Sequence, residues 1–159
     1  MTKAYIVMGV SGAGKSTIGK LLAERLSLPF IEGDDFHPAQ NVKKMSSGEP
    51  LSNNDRREWI EALSAEINAQ SGACVSSCSA LNEEVRRWIV EKVDREVMFV
   101  FLNGGRELLL ERLGARTGHF FKVEMLDSQL DSFEVPEGAL KIEINDAPSE
   151  VVTKIIQNL

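Results

Sequence analysis

Gly9-Val10-Ser11-Gly12-Ala13-Gly14-Lys15-Ser16, followed by Thr17, has the spacing G-x-x-x-x-G-K-[ST]. Few sequences of this length constrain a fold so tightly. Ala4-Tyr5-Ile6-Val7-Met8 before it is a short apolar run that reads as a buried strand. Ile18, Leu21, Leu22 and Leu26 after it recur at helical spacing. Strand, glycine-rich turn and helix in that order make a phosphate-binding loop. The glycines let the backbone wrap an anion without Cβ clashes, and the amide N–H groups and the helix dipole then face it. The whole stretch Gly9–Thr17 is therefore expected to bind the phosphates of a nucleoside triphosphate. Within it, Lys15 should reach the β- and γ-phosphates and the Ser16 hydroxyl should meet Mg²⁺.

The chain has 159 residues and a net charge of −6. The length suits one domain with a real core, residues 1–159. The charge argues against non-specific nucleic-acid binding, which relies on lysine and arginine neutralising phosphates, but a locally basic pocket can still take a small anion. No apolar run approaches the length of a membrane helix, so no membrane partner is expected. Cys74 and Cys78 lie in or beside a strand-like stretch with no third cysteine, and they read as buried reduced thiols. That reading and the absence of a signal-peptide pattern suit a cytoplasmic protein.

Along the chain, Pro29–Glu32 reads as a second strand ending in Gly33-Asp34-Asp35-Phe36-His37-Pro38. Polar groups where a strand ends in an α/β protein lie at the mouth of the site. Asp34 is a candidate for chemistry there, and helix capping is the competing use of such an acid. Asn54 or Asp55 is expected to cap a helix carrying Trp59, Ile60, Leu63 and Ile67. Arg56 and Arg57 fall in its first turn, against the helix dipole, which hints at an anion nearby. Ala73–Ser77 is a third strand and carries no aspartate for a metal. Glu96–Leu102 is a fourth, of the kind buried on both faces. Arg112 and Arg116 share a helix face and precede Gly118-His119-Phe120-Phe121, the place for a mobile lid over about 116–133. A helix over Val123–Phe133, a strand over Leu140–Ile144 and a final helix complete the chain. Strands alternating with helices predict a three-layer α/β fold with a parallel sheet covered on both faces.

Several segments together resemble the gluconokinase family: Gly9 to Thr17, Gly33-Asp34-Asp35-x-His37-Pro38, Asn41-x-x-Lys44-Met45, Ser47-Gly48-Glu49-Pro50-Leu51, Asp55-Arg56, Cys78-Ser79-Ala80-Leu81 and Arg116-x-Gly118-His119-Phe120-Phe121. They appear in the family's order over nearly the whole chain. The resemblance implies a P-loop kinase fold with five parallel strands ordered 2-3-1-4-5 and a small lid. It implies ATP- and Mg²⁺-dependent phosphorylation of D-gluconate to 6-phosphogluconate by a cytoplasmic enzyme that is often a homodimer. It implies that Asp34 orients or deprotonates the acceptor hydroxyl and is a candidate to hold Mg²⁺ through water. His37, Lys44, Arg56, Arg86 and His119 would contact gluconate, Arg112 and Arg116 would be lid arginines at the ATP phosphates, and Ala147-Pro148 would pack on adenine. After Cys-Ser-Ala-Leu the family has a lysine and then Tyr-Arg-Asp, where this chain reads Asn82-Glu83-Glu84-Val85-Arg86-Arg87; before Asp55 it carries Asn53 and Asn54 where the family has more acids.

Two other readings remain open from the residues alone. The acceptor could be a different small hydroxy acid, shikimate or another sugar acid. The chain could also be an ATP-binding switch without an acceptor, although a switch has no use for Asp34 and paired arginines.

Overall fold

In the computed structural model, which describes residues 2–114 and 123–159, the chain forms one sheet of five parallel strands flanked by helices. The strands are β1 (Lys3–Met8), β2 (Phe30–Glu32), β3 (Cys74–Ser77), β4 (Glu96–Asn103) and β5 (Leu140–Glu143). Their order is β2-β3-β1-β4-β5, as expected. The helices are α1 (Lys15–Leu26), α2 (Ala39–Ser46), α3 (Asn53–Ala69), α4 (Glu83–Lys92), α5 (Arg106–Gly114), α6 (Val123–Ser132) and α7 (Pro148–Gln157). A 3₁₀ turn covers Gly33–Phe36.

Strand β1 lies at the centre because its side chains are apolar in both directions. Ala4, Ile6 and Met8 pack with Trp59, Ile60, Leu63 and Ile89 under α3 and α4. Val7, on the alternate face, packs with Ile18 and Leu22 of α1, Leu109 of α5 and Val151, Val152 and Ile155 of α7. The period of two along the strand thus feeds two separate apolar layers. The chain runs from β1 outward on one side to β2 and β3, then crosses to β4 and β5 on the other. That reversal opens a crevice beyond the carboxyl end of β1, and the glycine-rich loop occupies it.

Local chemistry sets the helix ends. Ser52, not Asn54 or Asp55, caps α3: its hydroxyl accepts from the Asp55 N–H at 3.1 Å, and the Asp55 carboxylate accepts from the Ser52 N–H at 2.9 Å. The capping expectation is corrected by one turn register, since Ser-x-x-Asp satisfies two free N–H groups and a single cap satisfies one. The Ser52 N–H and the Lys44 ammonium hold the Asp55 carboxyl down at about 2. Asn82 caps α4 by accepting from the Val85 N–H at 3.0 Å. Cys74 and Cys78 are buried free thiols, and burial pushes Cys78 up to about 12. Among the described residues no helix is long and apolar enough to cross a membrane.

Strand β2 approaches β3 so closely at its end that a Cβ on Gly33 would lie 1.9 Å from the Ser77 carbonyl oxygen. Gly72 has nothing within 4 Å of the same position and no left-handed backbone. Gly33→Ala is therefore expected to lose about 3 kcal/mol of stability, the upper end for overpacking because the obstacle is backbone. Gly72→Ala should be neutral or stabilising by up to about 1 kcal/mol. Urea unfolding of the two variants checks both, and a Gly33→Ala midpoint equal to wild type would contradict the close approach.

Candidate active site

The phosphate loop has the backbone its glycines were expected to supply. Gly12 and Gly14 hold φ of 87° and 89°, and a Cβ on Gly12 would meet the Leu109 carbonyl oxygen at 2.9 Å. Gly14 precedes α1, so the first-turn N–H groups of that helix open onto the loop. Lys15 arches back along it, donating to the Val10 carbonyl at 3.1 Å.

Beside the loop stands a carboxylate that sequence reasoning missed. Ser16 Oγ donates to Glu32 Oε2 at 2.5 Å, and Ser77 Oγ donates to Glu32 Oε1 at 2.5 Å. Ser77 in turn accepts from the Gly33 N–H at 3.0 Å. The third strand carries no acid, as noted, because the acid comes from the end of the second strand and the third supplies the serine that holds it. Its signal in the sequence was position alone: Glu32 ends β2, two residues before Asp34. Among the described residues no three His, Cys, Asp or Glu side chains cluster as a metal cage. A hydroxyl and a carboxylate side by side at a phosphate loop fit Mg²⁺, which keeps several waters and takes few protein oxygens.

Two clefts flank the loop. One is lined by Gly12, Gly14, Thr17, Arg112, Ala147 and Pro148. Here α5 and the start of α7 meet, and the Arg112 guanidinium donates to the carbonyls of Ile144 and Asp146. The residues expected at the ATP base and phosphates, Arg112, Ala147 and Pro148, are thus brought together with the loop. The other cleft gathers Ser11, Lys15, Asp34, His37, Arg56 and Gln129. Asp34 is exposed to it, whereas the His37 ring is 4 % exposed. That ring stacks on Trp59 with centroids 4.1 Å apart at 18°. Burial pushes the His37 imidazole below its ordinary value; Asp34 acts against the shift and Arg56 with it. Trp59 Nε1 donates to the Gly33 carbonyl at 2.7 Å, so Trp59, read from the sequence as a core anchor, also braces the turn bearing Asp34.

The roof of this cleft is α6, in the second half of the segment expected as a lid. Its Gln129 Oε1 accepts from the Ser11 N–H at 2.8 Å, linking α6 to the phosphate loop. No periodicity or motif had singled out Gln129. Arg116 and His119 lie outside the described residues.

Two expected acceptor contacts do not reach the cleft. Arg86 is 6 % exposed and donates to the Ala80 and Glu134 carbonyls, each at 2.7 Å. The guanidinium expected to face the acceptor thus has its fork on two backbone oxygens, one in the Cys78–Leu81 turn. Lys44 is turned to Asp55, with Nζ 2.9 Å from Oδ2.

A phosphate loop at the reversal point of a parallel sheet, with a nucleotide-side cleft on one flank and a carboxylate between cations on the other, defines a P-loop small-molecule kinase. A family model described as shikimate kinase matches residues 11–159. The thermosensitive gluconokinase of Escherichia coli (strain K12) is 41 % identical over 150 residues, covering 90 % of this chain and 80 % of that protein. The thermoresistant gluconokinase of the same organism is 37 % identical, covering 96 % of this chain and 91 % of that protein. The crystal structure of a gluconokinase from Sinorhizobium meliloti 1021 superposes with a TM-score of 0.87 at 36 % identity, covering 99 % of this chain and 95 % of that one. The chain belongs to the gluconokinase family within the shikimate-kinase-like P-loop kinases.

The geometry of Arg86 makes its removal a stability experiment. Arg86→Ala leaves two carbonyl oxygens without donors and is expected to cost about 2–3 kcal/mol. Chemical denaturation measures this, with ATP affinity by calorimetry staying within about twofold of wild type. A folding free energy equal to wild type would show that the two bonds contribute nothing.

Proposed function

We infer that this protein transfers the γ-phosphoryl group of ATP to D-gluconate, forming 6-phospho-D-gluconate by direct in-line attack. Relatives that are gluconokinases along most of their length support the acceptor, and one observation carries the chemistry: Asp34 shares a cleft with Lys15 and Arg56 beside the phosphate loop. The anionic acceptor meets a local basic pocket on a chain of net charge −6.

The roles follow from position. Phosphoryl transfer needs placement and charge neutralisation more than covalent help. The loop amides and Lys15 take the phosphates. Ser16 and Glu32 would hold Mg²⁺, which when bound would supply further neutralisation of the phosphate charge. Asp34 accepts the proton of the attacking hydroxyl. Arg56 takes the acceptor carboxylate, for which a guanidinium fork is the matching donor. Its Nη1 is held by Asn53 Oδ1 at 2.9 Å. The Arg112 side holds the nucleoside, and Arg116 and His119 are proposed to reach the phosphates and the acceptor from the lid. The cytoplasm is the proposed location, supported by two buried free thiols.

ADP release by the purified protein with Mg²⁺ should be stimulated by D-gluconate and not by shikimate or other sugar acids. Lys15→Ala should lower kcat by about 100-fold or more, the loss expected when a donor at developing charge is removed. Stimulation by shikimate alone would move the acceptor assignment to the other branch of the family. Undiminished turnover in Lys15→Ala would sink the mechanism.

A further inference from the structure

Asn41 belongs to a segment that the sequence singles out, yet no role falls to it from the phosphate loop or from Asp34. It is fully buried on α2, and its Oδ1 has no hydrogen-bond partner among the described residues. A chain keeps such an unpaired oxygen at a cost. The other end of the amide is fully used. Nδ2 lies 2.9 Å from the Asp55 carbonyl oxygen and 3.2 Å from His37 Nδ1.

These two contacts fix more than the amide. A backbone carbonyl can only accept, so the edge of Asn41 that faces Asp55 must be the NH₂ group. Its second N–H then points at His37 Nδ1, which must accept. An imidazole that accepts at Nδ1 carries its proton on Nε2 and is neutral. Nε2 is the nitrogen nearest Asp34, 3.9 Å from Oδ1.

We propose that Asn41 is a positioning residue of the acceptor site: it locks His37 as the Nε2–H tautomer, so that the ring donates and Asp34 accepts, and the pair grips one hydroxyl of the acceptor. The spacing suits this. At 3.9 Å the nitrogen and the carboxylate oxygen are too far apart to bond each other. A hydroxyl oxygen about 2.8 Å from both sits at the apex of a triangle on that base. It accepts from Nε2–H and donates its own proton to Asp34. With the proton on Nδ1 instead, the hydroxyl would face two acceptors with one proton to give. With the ring doubly protonated, the cation would pair with Asp34 and weaken it as a base.

Three surroundings keep the ring in place and neutral. Trp59 of α3 stacks on it, as described, and is itself tied to the Gly33 carbonyl. Of the charged groups that act on it, Asp34 in the same turn favours the cation and Arg56 of α3 disfavours it, with burial on the side of Arg56. The inference rests on the proposed polyhydroxy-acid acceptor for what the hydroxyl belongs to, but the tautomer itself does not depend on substrate.

Imidazole ¹⁵N spectra test it directly. The chain has two histidines, and the His37 signals are those lost in His37→Gln. The expected wild-type pattern at pH 7 is an unprotonated Nδ1 and a protonated Nε2. Asn41→Asp replaces the donor by an acceptor of the same shape and should move the proton to Nδ1 or make the ring cationic. In that variant the KM for gluconate should rise about tenfold, the factor for one lost hydrogen bond, with the KM for ATP within about twofold. Its kcat/KM should also gain a pH dependence between about 6 and 8 that the wild type lacks, the range in which a freed imidazole titrates. A wild-type His37 that carries its proton on Nδ1, or both protons, overturns the proposal whether or not the variant folds. So does an unchanged gluconate KM in a folded Asn41→Asp whose tautomer has switched. Failure of wild-type protein to turn over gluconate would refute the proposed function alone, since the spectrum reads the tautomer without it.

Discussion

The contact between Gly33 and Ser77 is the constraint on which the rest of the site depends. No side chain fits between β2 and β3 there, and the gap is closed by a hydrogen bond from the Gly33 N–H to the Ser77 hydroxyl. That hydroxyl in turn donates a hydrogen bond to Glu32, and Glu32 accepts another from the Ser16 hydroxyl at the mouth of the phosphate loop. On its other side the Gly33 carbonyl receives the indole of Trp59, against which His37 stacks. One glycine therefore aligns the carboxylate next to Ser16, the turn that presents Asp34 and the ring behind it. Displacing β2 from β3 by even a methyl group would disturb all three together, because they share partners and do not act as independent sites.

The arrangement also explains how a strongly acidic chain can hold two anions at once. The phosphate loop offers backbone N–H groups, whose partial charges are fixed by the fold and carry no net charge. Lys15 and Arg56 add full charges on the walls of one cleft, and Arg112 adds another on the flank of the second. Surface carboxylates elsewhere are screened at physiological salt over roughly 8 Å, so the average charge of the chain says little about the cleft. The Ser11–Gln129 bond places α6 across the same opening, where it can exclude water from the transfer.

What could be read from the sequence was what depends on short-range pattern. The phosphate loop declares itself by spacing, and the five strands by apolar runs separated by helical periodicity, so a parallel sheet covered on both faces followed; its strand order came from the family resemblance and not from the pattern. Asp34 and His37 were visible because they follow the end of a strand. Glu32 was not, because its role requires Ser16 and Ser77, which meet it only when β2 lies beside β3. Arg86 was expected at the acceptor from the family resemblance alone, and its partners here, the carbonyls of Ala80 and Glu134, are long-range contacts that no local pattern shows. Ser52 was passed over as a cap because Asn54 and Asp55 compete for the same task in sequence, and only the reciprocal bond with Asp55 separates them.

Two of the departures from the family's pattern, at Asn82 and Asn53, are tied together by the same kind of long-range packing. Asn82 and Asn53, which stand where the family carries lysine and additional acid, bond to each other: Asn82 Nδ2 donates to Asn53 Oδ1 at 2.7 Å. Asn53 also donates to Glu84 at 2.9 Å, and its Oδ1 accepts from Arg56. An exchange of basic and acidic side chains for two amides keeps this seam between α3 and α4 joined without net charge. Neither asparagine is among the residues lining the acceptor cleft; their common effect is on Arg56, which is. These two substitutions therefore change how the guanidinium is braced and leave the cleft residues Lys15, Asp34, His37 and Arg56 in place. A compensated replacement of the support is weaker ground for a different acceptor than a replaced lining residue would be, and the acceptor follows the lining.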